Sequence, residues 1–173
     1  MKQILHSLRD SEADVCGAIA GWLQARPSLR TVASFVPLPG EPDLTRLSEQ
    51  VPGRTWCFPR VIDDQHLAFH QADDITTFRK SAYGVREPAP EFPEISVAAI
   101  DVFLCPGLAF AWDGGRLGRG SGYYDRLLAG ARGDALKLGS CFALQLVDTT
   151  FSEPHDVRMD VVICELGPLT SPA

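Results

Sequence analysis

Between Asp113 and Arg126 the chain reads D-G-G-R-L-G-R-G-S-G-Y-Y-D-R, a segment whose residue types suit the capture of phosphate. Gly114, Gly115, Gly118, Gly120 and Gly122 strip side chains from a loop between strand and helix, so backbone N–H groups can close on a ligand. Arg116 and Arg119 add two cationic forks that suit phosphate oxygens, and a helix beginning near Tyr123 would turn its positive end to the same place. The spacing is G-x-G-x-G with no G-K-[ST] after it, which excludes both a P-loop and a dinucleotide fingerprint. Asp125 would repel the bound phosphates unless a divalent cation stood between them. Magnesium fills that role, because it binds through one or two carboxylates together with phosphate oxygens and water. A second carboxylate comes from the His155-Asp156-x-x-x-Asp160 turn. A plainer reading of the same residues has two solvated arginines on a surface loop, Asp125 in a helix-surface ion pair and Asp156 capping a turn.

Such a loop needs a strand before it and a helix after it. Val97 to Cys105 (VAAIDVFLC) is nearly continuous in apolar character, as expected of a parallel strand covered on both faces, and Pro106-Gly107 ends it. Tyr123 to Ala131 reads as the helix, followed by strands over Leu138 to Val147 and Met159 to Cys164. Upstream, Ile4, Leu5, Leu8, Val15, Ile19, Trp22 and Leu23 recur at helical spacing and predict one amphipathic helix over residues 2–25, closed by Pro27. Thr31 to Pro37 reads as a buried strand, and Pro42 opens a short helix through Leu47. Thr55 to Ile62 and His66 to His70 read as strands, the first placed at a sheet edge by Pro59, and the proline-rich residues 81–96 as a loop. Strands separated by helices imply a single-domain, three-layer, Rossmann-like α/β fold over residues 1–173: an open, mostly parallel sheet with helices on both faces.

Length and composition agree: 173 residues, 45% hydrophobic and 22% charged, can bury a core without disulfide or metal staples. The formal charge of −6 repels a polyanionic backbone, which argues against nucleic acid as a partner and leaves a small anionic ligand held by a local arginine cluster. Cys16, Cys57, Cys105, Cys141 and Cys164 are odd in number and widely spaced, with no zinc-ligand pattern, so free thiols in a reducing compartment are expected. Three of them lie inside apolar runs, where a cysteine packs rather than reacts. The charged N-terminus lacks an apolar export core and no 18-residue apolar run occurs, so a cytoplasmic, membrane-free monomer is expected.

Two runs carry a family resemblance: Pro106-Gly107-Leu108-Ala109-Phe110, and Gly115-Arg116-Leu117-Gly118-Arg119-Gly120-Ser121-Gly122-Tyr123-Tyr124-Asp125-Arg126. Together they resemble the signature of the 5-formyltetrahydrofolate cyclo-ligase (methenyltetrahydrofolate synthetase) family. Lys2, Glu41, Pro59-Arg60, Gly84-Val85-Arg86-Glu87-Pro88 and His155-Asp156-Val157-Arg158-Met159-Asp160 follow the same family's landmarks in order. The resemblance implies an enzyme that uses ATP and magnesium to convert 5-formyltetrahydrofolate into 5,10-methenyltetrahydrofolate with release of ADP and phosphate. The formyl oxygen is phosphorylated, N10 of the folate attacks the activated carbon, and phosphate leaves.

By the same resemblance Lys2, His6 and the run Arg116, Leu117, Gly118, Arg119, Gly120, Ser121, Gly122, Tyr123 and Tyr124 contact ATP. Arg116, Arg119 and Tyr123 serve the reacting groups, and Asp125 and Asp156 hold magnesium. Val36 and Glu41 lie against the pterin, with Arg119, Gly120, Ser121, Gly122 and Tyr123 bordering the folate. Other readings of the chain are a nucleotide-binding module without turnover, a relative acting on another small substrate, and a sugar-phosphate isomerase or CoA-transferase-like enzyme sharing only the fold.

The chain leaves the family pattern at Ala111, where an aspartate is usual, and at His6, where an arginine is usual. A histidine with an ordinary pKa of about 6.5 loses its charge as pH rises, whereas arginine does not. If His6 contacts ATP, the KM for ATP rises between about pH 6.5 and 8.5, by up to roughly tenfold for one contact of about 1.4 kcal/mol. His6→Arg then flattens that rise. Superimposable pH profiles for wild type, His6→Arg and His6→Ala would place the contact elsewhere, with Arg9 one turn further along as the substitute.

Overall fold

The computed structural model describes residues 14–82, 84–151, 153 and 156–169. Lys2, His6, Arg9 and His155 lie outside the described residues, as does the first half of the helix expected over residues 2–25. Its described part, α1, spans residues 14–24, with Val15, Ile19 and Leu23 fully buried at intervals of four. The other elements in chain order are β1 (Thr31–Ala33), α2 (Leu47–Gln50), β2 (Thr55–Val61), β3 (Leu67–Gln71), β4 (Arg79–Lys80), β5 (Arg86–Glu87), β6 (Glu94–Ile95) and β7 (Val102–Cys105). They are followed by β8 (Ala109–Ala111), β9 (Arg116–Leu117), α3 (Tyr123–Ala129), β10 (Leu136–Ser140), β11 (Leu146–Val147), β12 (Val161–Cys164) and β13 (Gly167–Leu169).

The main sheet has the order β13-β12-β10-β7-β1-β2-β3-β6. Its five central strands, from β12 to β2, are parallel, and antiparallel strands complete both sides. Strand periodicity splits the core in two. Val32, Trp56, Val102, Leu104, Leu138 and Ile163 pack with α1 and the start of α2, while Ala33, Cys57, Phe103, Cys105 and Val162 pack with Leu127 and Leu128 of α3. The expected α/β architecture with helices on both faces is what forms. All four residues of β7 are buried, as its unbroken apolar run requires. Asp101 pins the start of β7 to that of β1 by accepting the N–H groups of Arg30 (2.7 Å) and Thr31 (2.9 Å).

Several boundaries depart from the sequence expectation for identifiable reasons. The short helix begins at Leu47 rather than after Pro42, because the Asp43 carboxylate binds both the N–H and the hydroxyl of Thr45 and diverts the backbone into a local turn. Pro59 does not place β2 at an edge. Its pairing with β1 stops at Cys57, so the missing N–H falls where only β3 remains alongside, opposite Phe69. Residues 81–96 are not purely loop, since β5 pairs with β4 and β6 with β3. The strand expected from Val97 starts instead as a 3-10 turn over Val97–Ala99, capped by the Ser96 hydroxyl. The one expected to run to Val147 breaks after Ser140 and resumes as β11, which joins β8 and β9 in a separate three-stranded sheet.

The cysteines are all buried and free. Burial pushes the thiols of Cys57, Cys105 and Cys141 up to about 12 and that of Cys16 to about 11, so they pack rather than react. Among the described residues no helix is long and apolar enough to cross a membrane.

The small sheet is seated on the large one through Phe110 of β8, whose ring lies against Gly139 of β10; a Cβ at residue 139 would stand 2.5 Å from it. Gly139→Ala is therefore expected to cost about 1–3 kcal/mol of unfolding free energy in urea, the range of overpacked cores. A loss below about 0.5 kcal/mol, the scale of an unremarkable surface change, would mean that the two sheets are not locked at this point.

Candidate active site

Numbered along the chain, the five parallel strands run 2-1-3-4-5 across the sheet, so the chain leaves β1 and β7 toward opposite sides. In open α/β sheets ligands bind in the crevice beyond the carboxyl ends of such a pair. Here the crevice is entered by residues 34–41 after β1 and by the chain after β7. On the first side, Glu41 N–H donates to the Leu38 carbonyl (3.0 Å) and Leu38 N–H donates to Glu41 Oε2 (2.8 Å). This closed turn fixes a carboxylate whose side chain is 4% exposed. Val36, half-buried, packs on the α1 side of the core just before it.

On the second side the glycine-rich run divides into two parts with different tasks. Gly114 and Gly115 belong to the tight turn joining β8 to β9, where Asp113 Oδ1 accepts the N–H of Gly115 (3.0 Å) and Arg158 pairs with the same carboxylate. Gly118, Gly120 and Gly122 form the loop from β9 into α3. Gly122, with φ of 64°, sits at the left-handed position where the loop turns into the helix, a conformation that side chains disfavour. Gln145 braces the entry to this region by donating to the carbonyls of Gly107 (3.0 Å) and Leu108 (3.2 Å).

The two arginines occupy different environments. Arg119 crosses from the loop to the β1 side, where Nε donates to Glu41 Oε1 (3.1 Å) and Nη2 to the Pro39 carbonyl (2.9 Å); its side chain is 39% exposed. Arg116, in β9, is 4% exposed. Its Nη2 donates to Asp125 Oδ1 (2.9 Å), its Nη1 to the Pro106 carbonyl (3.3 Å), and its guanidinium carbon lies 5.6 Å from the Tyr124 ring centre. Arg116 Nε finds no acceptor among the described residues. Burial raises the Tyr124 phenol well above its ordinary pKa, keeping it neutral beside the cation.

The ion-pair and turn-capping roles considered for the two aspartates are both present. Asp125 pairs with Arg116 and also accepts the Val157 N–H (3.5 Å), and Asp156 Oδ2 accepts the Glu153 N–H (2.7 Å). Val157 thus links Asp125 to the segment that carries Asp156. Among the described residues no three His, Cys, Asp or Glu side chains form a ready cage for a metal ion.

Sequence reasoning missed the partner of the loop's far end. The Tyr123 hydroxyl donates to the Asp63 carbonyl (2.9 Å), Arg126 Nε to that of Gln65 (2.9 Å), and Arg126 Nη2 to that of Ser121 (2.7 Å). The turn between β2 and β3 therefore clasps residues 121–126. Its contribution is backbone carbonyls, which any sequence supplies, so no residue type announced it. Leu117 lies in β9 as an exposed residue, its carbonyl accepting from Leu108 N–H (2.8 Å).

An open α/β sheet with an arginine- and glycine-rich loop at its switch point is an architecture that places a candidate ligand site there. The sequence pattern of the 5-formyltetrahydrofolate cyclo-ligase family matches residues 18–165, and the chain belongs to that family. It is 32% identical to the 5-formyltetrahydrofolate cyclo-ligase of Mycolicibacterium smegmatis, over 94% of this chain and 86% of that protein. It is 27% identical to the cyclo-ligase of Mycoplasma genitalium, over 92% and 88%. Its fold matches the 5,10-methenyltetrahydrofolate synthetase of Aquifex aeolicus with a TM-score of 0.78 at 26% identity, over 99% and 91% of the two chains. That of Mycoplasma pneumoniae matches with a TM-score of 0.74 at 23% identity, over 92% and 87%.

Removing one member of a buried pair strands the other. Asp125→Asn is expected to lower unfolding free energy by about 1–3 kcal/mol, because it leaves Arg116 buried without its counter-charge. Combined with Arg116→Gln, the double-mutant cycle in urea should return an interaction energy of about 0.5–3 kcal/mol. An interaction energy near zero would show that the pair contributes nothing to the fold.

Proposed function

We propose that this chain closes 5-formyltetrahydrofolate to 5,10-methenyltetrahydrofolate at the expense of ATP, with release of ADP and phosphate and with magnesium as cofactor. The observation that carries this reading is the meeting of Glu41 and Arg119 at the switch point, in a member of the cyclo-ligase family. One residue suits the hydrogen-bond donors of a reduced pterin and the other the oxygens of a phosphate, and the reaction needs both ligands side by side.

The chemical difficulty is that a formyl oxygen bound as an amide is a poor leaving group, whereas phosphate is a good one. Phosphoryl transfer from ATP to that oxygen makes the formyl carbon open to attack by N10 of the same folate, and phosphate then departs. Such a transfer depends on positioning and charge neutralisation more than on covalent help. The loop over residues 116–124 supplies backbone N–H groups and the Arg119 cation for the polyphosphate. Arg116, held rigid by Asp125 and Pro106, supports the loop from beneath. Glu41 accepts from the pterin through a carboxylate that its own turn already orients, and Val36 offers an apolar wall beside it. Asp125 and Asp156 would hold magnesium, which supplies neutralisation of the phosphate charge. The five free thiols favour a cytoplasmic location.

The test is the absorbance of the methenyl product, which should appear only when 5-formyltetrahydrofolate, ATP and magnesium are all present and should vanish on chelation. Asp156→Asn keeps an oxygen for the Glu153 N–H but loses the charge. It is therefore expected to lower turnover about 10–100-fold while leaving the thermal midpoint nearly unchanged, the scale associated with the loss of a metal site's supporting groups. Nucleotide binding without product from folded protein would instead identify a binding module. An equal loss of stability and activity in Asp156→Asn would reduce that residue to a turn cap.

A further inference from the structure

Glu41 is assigned to the pterin and Arg119, though it also borders the folate, to the polyphosphate, yet the structure joins the two to each other. The inference drawn from that contact rests on the proposed function. Arg119 Nε donates to Glu41 Oε1 (3.1 Å) across 78 residues of sequence, and Nη2 donates to the Pro39 carbonyl (2.9 Å) of the same turn. A phosphate that claims this guanidinium must compete with the carboxylate. A pterin that claims this carboxylate must compete with the guanidinium.

The two partners are held unequally. Glu41 is 4% exposed, and its second oxygen is fixed by the Leu38 N–H at 2.8 Å, so the carboxylate keeps its place when the pair opens. Arg119 is 39% exposed and stands on a loop with glycine on both sides, at 118 and 120. It is the partner that can turn away. Once it does, a buried carboxylate is left without its counter-charge, an unfavourable state that hydrogen-bond donors relieve. In the other direction, a pterin that satisfies Glu41 weakens its hold on Arg119 and leaves that cation available to phosphate.

We propose that the Arg119–Glu41 ion pair couples the two binding sites, so that nucleotide and folate each tighten the binding of the other by opening a contact that both must break. By thermodynamic linkage the factor is the same in both directions, and couplings of this kind span about 5–150-fold. The pair thereby also biases the enzyme against filling one site alone.

The test uses the β,γ-imido analogue of ATP, which cannot transfer its terminal phosphoryl group, with magnesium and with 5-formyltetrahydrofolate, in calorimetry on the full chain. In wild type the Kd of the nucleotide should fall about tenfold when folate is saturating. Glu41→Gln retains an oxygen for the Leu38 N–H but removes the charge that holds Arg119. Without any folate, this variant should bind the nucleotide severalfold more tightly than wild type, while its folate affinity falls. A role for Glu41 confined to shaping its turn predicts unchanged or weaker nucleotide binding. That result, or a wild-type coupling factor of one with both ligands bound, overturns the coupling alone. An unchanged folate affinity in Glu41→Gln removes the pterin from Glu41, and with it both the assignment and the coupling.

Discussion

Two strands that share hydrogen bonds but send their chains to opposite sides leave a gap that neither helix layer covers, and the gap between β1 and β7 governs the rest of this molecule. Every device around it serves to bring charge to that gap and hold it there. Asp101 sets the two strands level at one end. At the other, the turn over residues 38–41 presents a fixed anion, and the small sheet of β8, β9 and β11 lifts Arg116 to the base of the loop. The crevice is thus bordered by elements that also feed the core, Phe35 after β1 in one half and Phe110 of β8 with Leu127 and Leu128 of α3 in the other.

Neutralising the cationic loop with the chain's own carboxylates has a cost and a use. Fully buried ion pairs rarely add much net stability, because desolvation of both charges offsets their attraction. Arg116 and Asp125 are worth retaining only if their positions matter, and the cation makes a second contact with the Pro106 carbonyl where β7 ends. The outer pair, Arg119 with Glu41, is more open and holds the two walls together while remaining breakable. An inner pair that supports and an outer pair that yields separate rigidity from responsiveness within a few residues of one loop.

Much of this was legible in the sequence, unevenly. Apolar runs announced β1, β7 and β12, because buried strands need little help from their neighbours to be recognised, whereas β2 was recognised as a strand but misplaced at an edge by Pro59. Elements of two or three residues, such as β5, β6, β9 and β13, were not legible, since register with distant strands rather than local preference creates them. The glycine-rich run showed its residue types but not its division into a hairpin turn and the loop that leads into α3. The same limit applies at the site. Glu41, Arg116, Arg119 and Asp125 could be named, but which carboxylate faces which guanidinium is a fact of topology. The clasp by the carbonyls of Asp63 and Gln65 had no signature to read.

The five buried thiols have a practical consequence. Alkylating reagents attack the thiolate, and a native chain whose cysteines are both enclosed and protonated gives them almost nothing to attack. Modification must then wait for the structure to open. Cys16 lies in one half of the core, and Cys57, Cys105, Cys141 and Cys164 in the other, so each site of labelling reports the opening of its own region. The protein carries, without any engineered probe, an internal clock for the breathing motions of each side of its sheet.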